Sequence, residues 1–448
     1  MSSSLDAPED APGDASADAR AAPEPKRSLP RRILGALGPG LVTGAADDDP
    51  SGVATYSQVG AQFGFQLSWI LLFSYPLMAV TQAIAGRIGA VTGDGIARNL
   101  RLHYPRWLLR AAVLTLLVAN VVNLGADLGA MGAATQLLVG GPALVYTAGL
   151  AGLCVTLQVF MSYARYAAVL KWLTLTLFSY VVVAFLASVP WGEALRGALV
   201  PSIDLSDSAQ AMALLAVLGT TISPYLFFWQ AAQEVEEQER RQTQPLYVTP
   251  KGGPGELARI EVDTWVGMGL SNLISWFIVL AAAATLHAKG VTDIETSAQA
   301  AEALRPVAGD LAFAVFAFGI IGTGLLAVPV LAGSAAYAVC ETFDWVEGLD
   351  RKLRDARAFY GVIVVATLAG LALDFLGVDP IKALYWSAVL NGLLAAPIMT
   401  AMLLVADNPK IMGEFVLPWP LRIAGWTAAA AMALASAGFI ALSLAGAG

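Results

Sequence analysis

Gly44-Ala45-Ala46-Asp47-Asp48-Asp49-Pro50-Ser51-Gly52 places three adjacent carboxylates and a proline inside an apolar segment that runs from residue 33 to 62. A charged side chain at the centre of a bilayer costs about 2.5 to 3.5 kcal/mol on insertion scales, and nothing about stability explains three of them. The run is therefore a functional site within the membrane or, failing that, a short loop at its surface. Pro50 has no N–H, and its ring clashes with the carbonyl four residues back, so a helix entering here breaks and leaves the Ala46 carbonyl free. Asp49 precedes the proline and is driven toward extended geometry, and Ser51 can cap the half-helix that follows. A carboxylate beside a free carbonyl is a cation ligand set. Consecutive helical residues point about 100° apart, so only one or two of the aspartates can face one ion. Asp49 is the first candidate and Asp48 the second.

The rest of the chain supplies the membrane. Hydrophobic residues make up 57% of the 448 positions and charged residues 13%, a balance that leaves a soluble protein without surface to face water. Crossing about 30 Å of hydrocarbon takes about 20 apolar residues, and roughly eleven segments reach that scale. They lie near 33–62, 66–91, 109–138, 141–162, 166–189, 208–238, 257–288, 309–340, 357–376, 380–406 and 418–446. Backbone polar groups in lipid must bond internally, so these spans are predicted helices and the chain an all-α integral membrane protein.

Basic residues near span ends stay on the cytoplasmic side. Lys26, Arg27, Arg31 and Arg32 put the N-terminus inside, and counting alternately from there Arg98, Arg101, Arg106 and Arg110, then Arg165, then Arg240, Arg241 and Lys251, then Arg351, Lys352, Arg354 and Arg357 all fall inside as well. Residues 1–30, rich in Ala, Pro, Asp and Ser, read as a disordered cytoplasmic tail and hold part of the formal charge of −8.

A second span breaks the same way. In the sixth, Gly219-Thr220-Thr221-Ile222-Ser223-Pro224-Tyr225 interrupts an apolar run with hydroxyls and a proline. Pro224 frees the Thr220 carbonyl, and Thr220, Thr221 and Ser223 offer further oxygens, although such hydroxyls also bond their own backbone. If spans one to five and six to ten are copies, one begins inside and the other outside. This predicts a 5+5 inverted repeat, residues 31–190 and 191–407, followed by an additional span over 408–448. Paired broken helices are the pointer to a substrate site at the midplane.

Other polar residues fall on helical faces. Asn120, Asn123 and Asp127 are spaced three and four apart in the third span, a stripe that must face the bundle interior. Asp127 is a candidate proton or ion relay, or else a partner in an interhelical hydrogen bond. Gln230 and Glu234 share a face of the sixth span, with Glu234 a candidate for an exit path, and Ser387 and Asn391 in the tenth could complete a cavity wall. Cys154, Cys340, His103 and His287 are scattered and indicate neither a disulfide framework nor a thiolate or histidine metal site.

Through Gly38-Pro39-Gly40, Asp49-Pro50, Asp127-Leu128, the sixth-span break and Asn408-Pro409-Lys410-Ile411-Met412-Gly413, the chain resembles the Nramp family of proton-coupled divalent metal transporters. That resemblance implies a LeuT-like fold over nearly all of residues 33–445. The family's first-span motif is Asp-Pro-Gly-Asn, whose Asp and Asn bind the metal; here Asp49 and Pro50 match, and Ser51 and Gly52 follow them. The sixth-span motif is Met-Pro-His, with the Met thioether and a carbonyl three residues earlier as ligands. Here Pro224 and the Thr220 carbonyl match, Ser223 replaces the Met, and Tyr225 replaces the His. Ala130 stands where the family's proton route has an acid, and Gln230 where a second histidine aligns.

Oxygen ligands without a thioether suit harder ions, so the resemblance implies a transporter of divalent cations with Mg²⁺ or Mn²⁺ ahead of Fe²⁺ and with proton coupling open. The alternative is the same fold carrying another small substrate. The chain shows no nucleophile and base pairing, nucleotide loop or soluble signalling domain, so it is not expected to be an enzyme, a sensor or a nucleic-acid binder. Its partners are the lipid bilayer and a small cation carried as substrate, with no cofactor. The expected location is a bacterial inner membrane, with a monomer sufficient for transport.

Overall fold

Two prolines at first helical turns set the architecture. Helix α1 (Pro39–Asp47) ends at Asp48, which has φ −79° and ψ 52°, and α2 (Pro50–Phe63) restarts after an extended Asp49 with φ −73° and ψ 169°. The sixth span repeats this step. Helix α9 (Ser208–Thr221) ends at Ile222 with φ −116° and ψ 62°, and α10 (Pro224–Arg241) begins after an extended Ser223 with φ −76° and ψ 121°. In both, the residue before proline avoids the helical region, and the proline occupies the one turn where a missing N–H is harmless.

This is a computed structural model that describes residues 38–161, 177–187, 189–204, 207–377 and 379–446. Between the two breaks lie α3 (Trp69–Thr92), α4 (Ile96–His103), α5 (Arg106–Val139), α6 (Ala143–Phe160), α7 (Phe178–Leu186) and α8 (Trp191–Leu199). After them come α11 (Gly253–Thr285), the short α12 (Ser297–Glu302), α13 (Ala312–Phe343), α14 (Arg357–Asp374), α15 (Pro380–Ala406) and α16 (Trp419–Gly446). Every regular element among the described residues is a helix. Nine helical stretches among them are long and apolar enough to cross a membrane. The expected first span is instead divided into pieces of 9 and 14 residues. The predicted tail over 1–30, its basic flank, Arg165 and half of the predicted fifth span lie outside the described residues.

Large apolar side chains such as Leu114, Phe160, Val365 and Leu434 are exposed, whereas Asp47, Asp48, Asp49 and Asp127 are buried. That inverts the arrangement of a water-soluble protein and is what a lipid solvent requires. The third span, α5, packs against α13, α14 and α15, and α1 and α2 lie along α11. The approach of α1 to α11 is backbone on backbone: a Cβ added at Gly44 would fall on the main chain of Gly267, and one added at Gly40 on that of Thr264. Only glycine permits this spacing. Gly44→Val should force the two helices apart at a cost of about 1 to 3 kcal/mol, read as a lower melting temperature of the detergent-purified protein; an unchanged melt would mean that the contact is not tight.

At one end of the bundle the N-terminus of α4 seats on the end of α13. The Arg98 amide donates to Glu341 Oε2 at 3.0 Å, the Arg98 side chain pairs with Asp94 at 3.3 Å, Asp344 at 3.4 Å and Glu347 at 3.7 Å, and Arg101 pairs with Asp344 at 2.8 Å. Burial, reinforced by the neighbouring Glu341 carboxylate and opposed by Arg98, pushes the Glu347 carboxyl up to about 9. The folded chain thus holds a proton there that an unfolded glutamate, at about 4.3, has lost. The stability this contributes is full below the unfolded value and is lost as pH rises through the folded one. Between about pH 6 and about pH 9 the melting temperature should therefore fall in the natural protein and fall less in Glu347→Gln; parallel slopes would remove Glu347 from the account.

Candidate functional site

The two breaks face each other. Asp49 caps α2, its Oδ1 accepting from the Gly52 amide at 2.7 Å and from Ser51 Oγ at 2.8 Å. Its Oδ2 lies 3.2 Å from Tyr225 Oη, which is also 3.4 Å from the carbonyl oxygen of Ala46. The Tyr225 hydroxyl thus lies between the carboxylate and the carbonyl that Pro50 leaves without its helical donor. On the other side of the contact, a Cβ added at Gly52 would come within 3.2 Å of Thr220 Oγ1. The Thr220 hydroxyl, buried and without a hydrogen-bond partner, stands against the position where the resemblance implies an asparagine.

The sixth-span hydroxyls divide. Ser223 Oγ donates back to the Thr220 carbonyl at 2.9 Å, with Gly219 O at 3.3 Å, and Thr221 Oγ1 donates to Val217 O at 2.9 Å. The Thr220 carbonyl expected to be free is therefore engaged by Ser223, which keeps two lone pairs for a ligand. In the tenth span Ser387 Oγ donates to Leu384 O at 2.7 Å, while the Asn391 amide is buried with neither end paired.

Asp127 lies within electrostatic reach of Asp49, and the Ser51 N–H approaches its carboxylate without reaching full hydrogen-bond geometry. Asn123 beside it is likewise buried and unpaired. Asn120, by contrast, makes a plain interhelical contact, its Nδ2 donating to Leu331 O at 2.9 Å and to Ser334 Oγ at 2.6 Å. Glu234, the exit-path candidate, has a partner on each carboxylate oxygen. Its Oε2 is 2.7 Å from Arg259, its Oε1 accepts from Gln230 at 3.1 Å, and Gln230 accepts in turn from Thr43 on α1. Asp48 lies away from the Tyr225 contact, its Oδ1 2.9 Å from Ser271 Oγ, the hydroxyl that Asp47 also meets.

The partners that sequence reasoning misses are on α11. Asp263 accepts from the amides of Gly38 at 2.9 Å, Gly40 at 2.7 Å and Leu41 at 3.2 Å, placing a carboxylate on the N-terminus of α1, where the unpaired N–H groups and the helix dipole favour it. Arg259, Asp263, Gly267, Ser271 and Ser275 are spaced four apart, one face of one helix, and that spacing is the signal that identifies them. Asp49, Thr220, Ser223, Tyr225, Asp127 and Asn391 are each at most 2% exposed, so the site is closed to solvent. No cluster of three His, Cys, Asp or Glu side chains suited to a metal occurs among the described residues; carbonyl and hydroxyl groups gather around Asp49, with the Asp127 carboxylate within electrostatic reach.

If the Tyr225 hydroxyl holds the place of a ligand, a cation must displace a hydrogen bond to a charged group, worth about 1.5 to 3 kcal/mol. Tyr225→Phe should then raise divalent-ion affinity about tenfold or more, measured by calorimetry; a fall in affinity would make the phenol a ligand instead.

Comparison with known proteins gives one consistent result. The family described as natural resistance-associated macrophage protein-like, Nramp, matches residues 40–442. A protein named divalent metal cation transporter MntH, from Klebsiella pneumoniae (strain 342), is 25% identical over 407 residues, covering 88% of this chain and 90% of that one. A crystal structure of the Eremococcus coleocola manganese transporter in complex with an aromatic bis-isothiourea substituted compound superposes with a TM-score of 0.74 at 16% identity, over 93% of this chain and 87% of that one. A histidine-to-alanine mutant of the same manganese transporter gives 0.71 at 18% identity, over 92% and 87%. At these identities the structural likeness is one of fold.

Proposed function

We propose that this chain, which belongs to the Nramp family and is with it a divalent metal cation transporter, has shifted its selectivity toward hard ions such as Mg²⁺ or Mn²⁺ and does not use the family's proton route. The observation that carries the selectivity is the composition of the contact between the breaks. Asp49, the Ala46 and Thr220 carbonyls and the Thr220 hydroxyl present oxygen once the Tyr225 hydroxyl is displaced, and Ser223 brings a hydroxyl to the position where a thioether is implied. Carboxylate, carbonyl and hydroxyl oxygens favour Mg²⁺, Ca²⁺ and Mn²⁺, whereas sulfur favours softer metals. Membership in the family weighs against the alternative of an unrelated small substrate.

Transport by this site is alternating access around a closed centre. The ion is held where two half-helices end, so either half can swing without unwinding a continuous helix. Asp127, buried beside Asp49, supports a relay or an additional ion contact, and Ala130 one turn away has nothing to carry a proton. The tie from Thr43 on α1 to Gln230 on α10 closes one side of the site and must open for release.

Calorimetric titration of the purified protein with Mg²⁺, Mn²⁺ and Cd²⁺ tests the cargo. Binding of the hard ions ahead of Cd²⁺ is expected, with loss of all binding in Asp49→Ala; unchanged affinity in the mutant would sink the site. Ser223→Met should move the preference toward Cd²⁺, and an unaltered order would mean that residue 223 does not meet the ion. Flux in proteoliposomes should proceed without acidifying the lumen, and uptake strictly dependent on an inward proton gradient would overturn the loss of proton coupling.

A further inference from the structure

A second acceptor-rich cluster lies where the end of α1 meets α11, and the hydrogen bonds around Asp49 do not include it. Ser271 Oγ is 2.9 Å from Asp47 Oδ2 and 2.9 Å from Asp48 Oδ1. A hydroxyl carries one proton and can donate to only one of these oxygens, so with both carboxylates ionised the other contact brings together two lone-pair-bearing atoms with nothing between them to bind. The Ser275 hydroxyl lies near Asp48 and is engaged with Ser271 O at 3.0 Å within its own helix, so its single proton leaves the cluster without a full donor there. Asp47 Oδ1 is buried without any partner. Arg259, the arginine on this face of α11, is taken by Glu234 at 2.7 Å and Glu256 at 2.9 Å.

An independent group points into the same place. Tyr56, 1% exposed, has a hydroxyl without a hydrogen-bond partner, and it lies in the field of Asp47 first, then Asp48 and Asp49, with Ser275 alongside. The C-terminus of α1 adds the negative end of its dipole. Carboxylates, hydroxyls, a phenol and a helix C-terminus thus converge with one thing lacking, a positive charge that no described side chain around the cluster provides. The backbone contact of Gly40 and Gly44 with α11 holds these groups in register.

We infer that Asp47, Asp48, Ser271 and Tyr56 bind a monovalent alkali cation of the size of Na⁺, at a site separate from that of the cargo. Mg²⁺ keeps several waters, which a cluster with all four residues buried does not admit, and Ca²⁺ takes six to eight oxygens. The bound ion bridges the end of α1 to α11 within two residues of Asp49, so its arrival and departure act on the same hinge as the cargo. It would be the coupling ion of a carrier that has no acid at Ala130. The site itself does not depend on which ion Asp49 holds.

Equilibrium binding of ²²Na⁺ to the full-length protein in nanodiscs, without divalent metal, tests this. Saturable binding of one ion per chain is expected, weakened at least tenfold in Asp47→Asn and in Asp48→Asn and severalfold in Tyr56→Phe, and retained in Asp49→Ala. The Asn variants keep the shape of the side chain and remove buried charge, so their fold is checked by melting temperature, which Na⁺ should raise in the natural protein and not in either variant. Absence of Na⁺ binding in a protein that still binds Mn²⁺ would overturn the second site and leave the cargo reading standing. Na⁺ binding lost in Asp49→Ala and kept in Asp47→Asn would place the ion at the cargo site and equally overturn it.

Discussion

Hydrocarbon offers no partner to a backbone N–H or C=O, so every interruption of a membrane helix must be answered by protein. Two prolines create such interruptions here, and the polar geometry of the bundle follows from how they are answered. Asp49 takes up the first amides of α2, Tyr225 stands at the Ala46 carbonyl, and Ser223 bends back onto the Thr220 carbonyl. The start of α1 presents a further set of bare amides, and Asp263 receives them. The groups available to an ion are therefore those that the break itself leaves incompletely satisfied.

The same logic explains how far the sequence can be read. Asp49-Pro50 and Ser223-Pro224 announce both breaks because proline acts locally, through its own missing N–H and the conformation of its neighbour. Nine of the roughly eleven expected spans stand as long apolar helical stretches among the described residues, because hydropathy also depends on nothing distant. What a side chain does once a helix turns toward its neighbours is less legible. Asn120 and Asn123 share a stripe, yet one bonds α13 and the other is left unpaired beside Asp127, a difference of rotation that spacing does not encode. Glu234 reads as open in the sequence because its partner Arg259 is 25 residues away on another helix.

Asp48 is the most instructive case. The rotation between consecutive helical residues makes it a reasonable second ligand beside Asp49, but the chain leaves the helical region at Asp48 itself, and the two carboxylates separate to different neighbours. The four-residue repeat from Arg259 to Ser275 is present in the sequence but masked by a surrounding span of high hydropathy, in which one charged pair and two serines do not stand out until they are counted at helical spacing.

The contact between α1 and α11 has a mechanical consequence. Glycine against glycine removes the side-chain layer that usually lets helices slide or tilt past each other, and Asp263 fastens one end of the seam while Ser271 fastens the other. A half-helix joined to its neighbour this way cannot peel off alone. It moves as part of a two-helix lever pivoting at Asp48 and Asp49, so the effort of opening the site falls on the cross-links from α1 to α10, and the seam travels intact through the cycle.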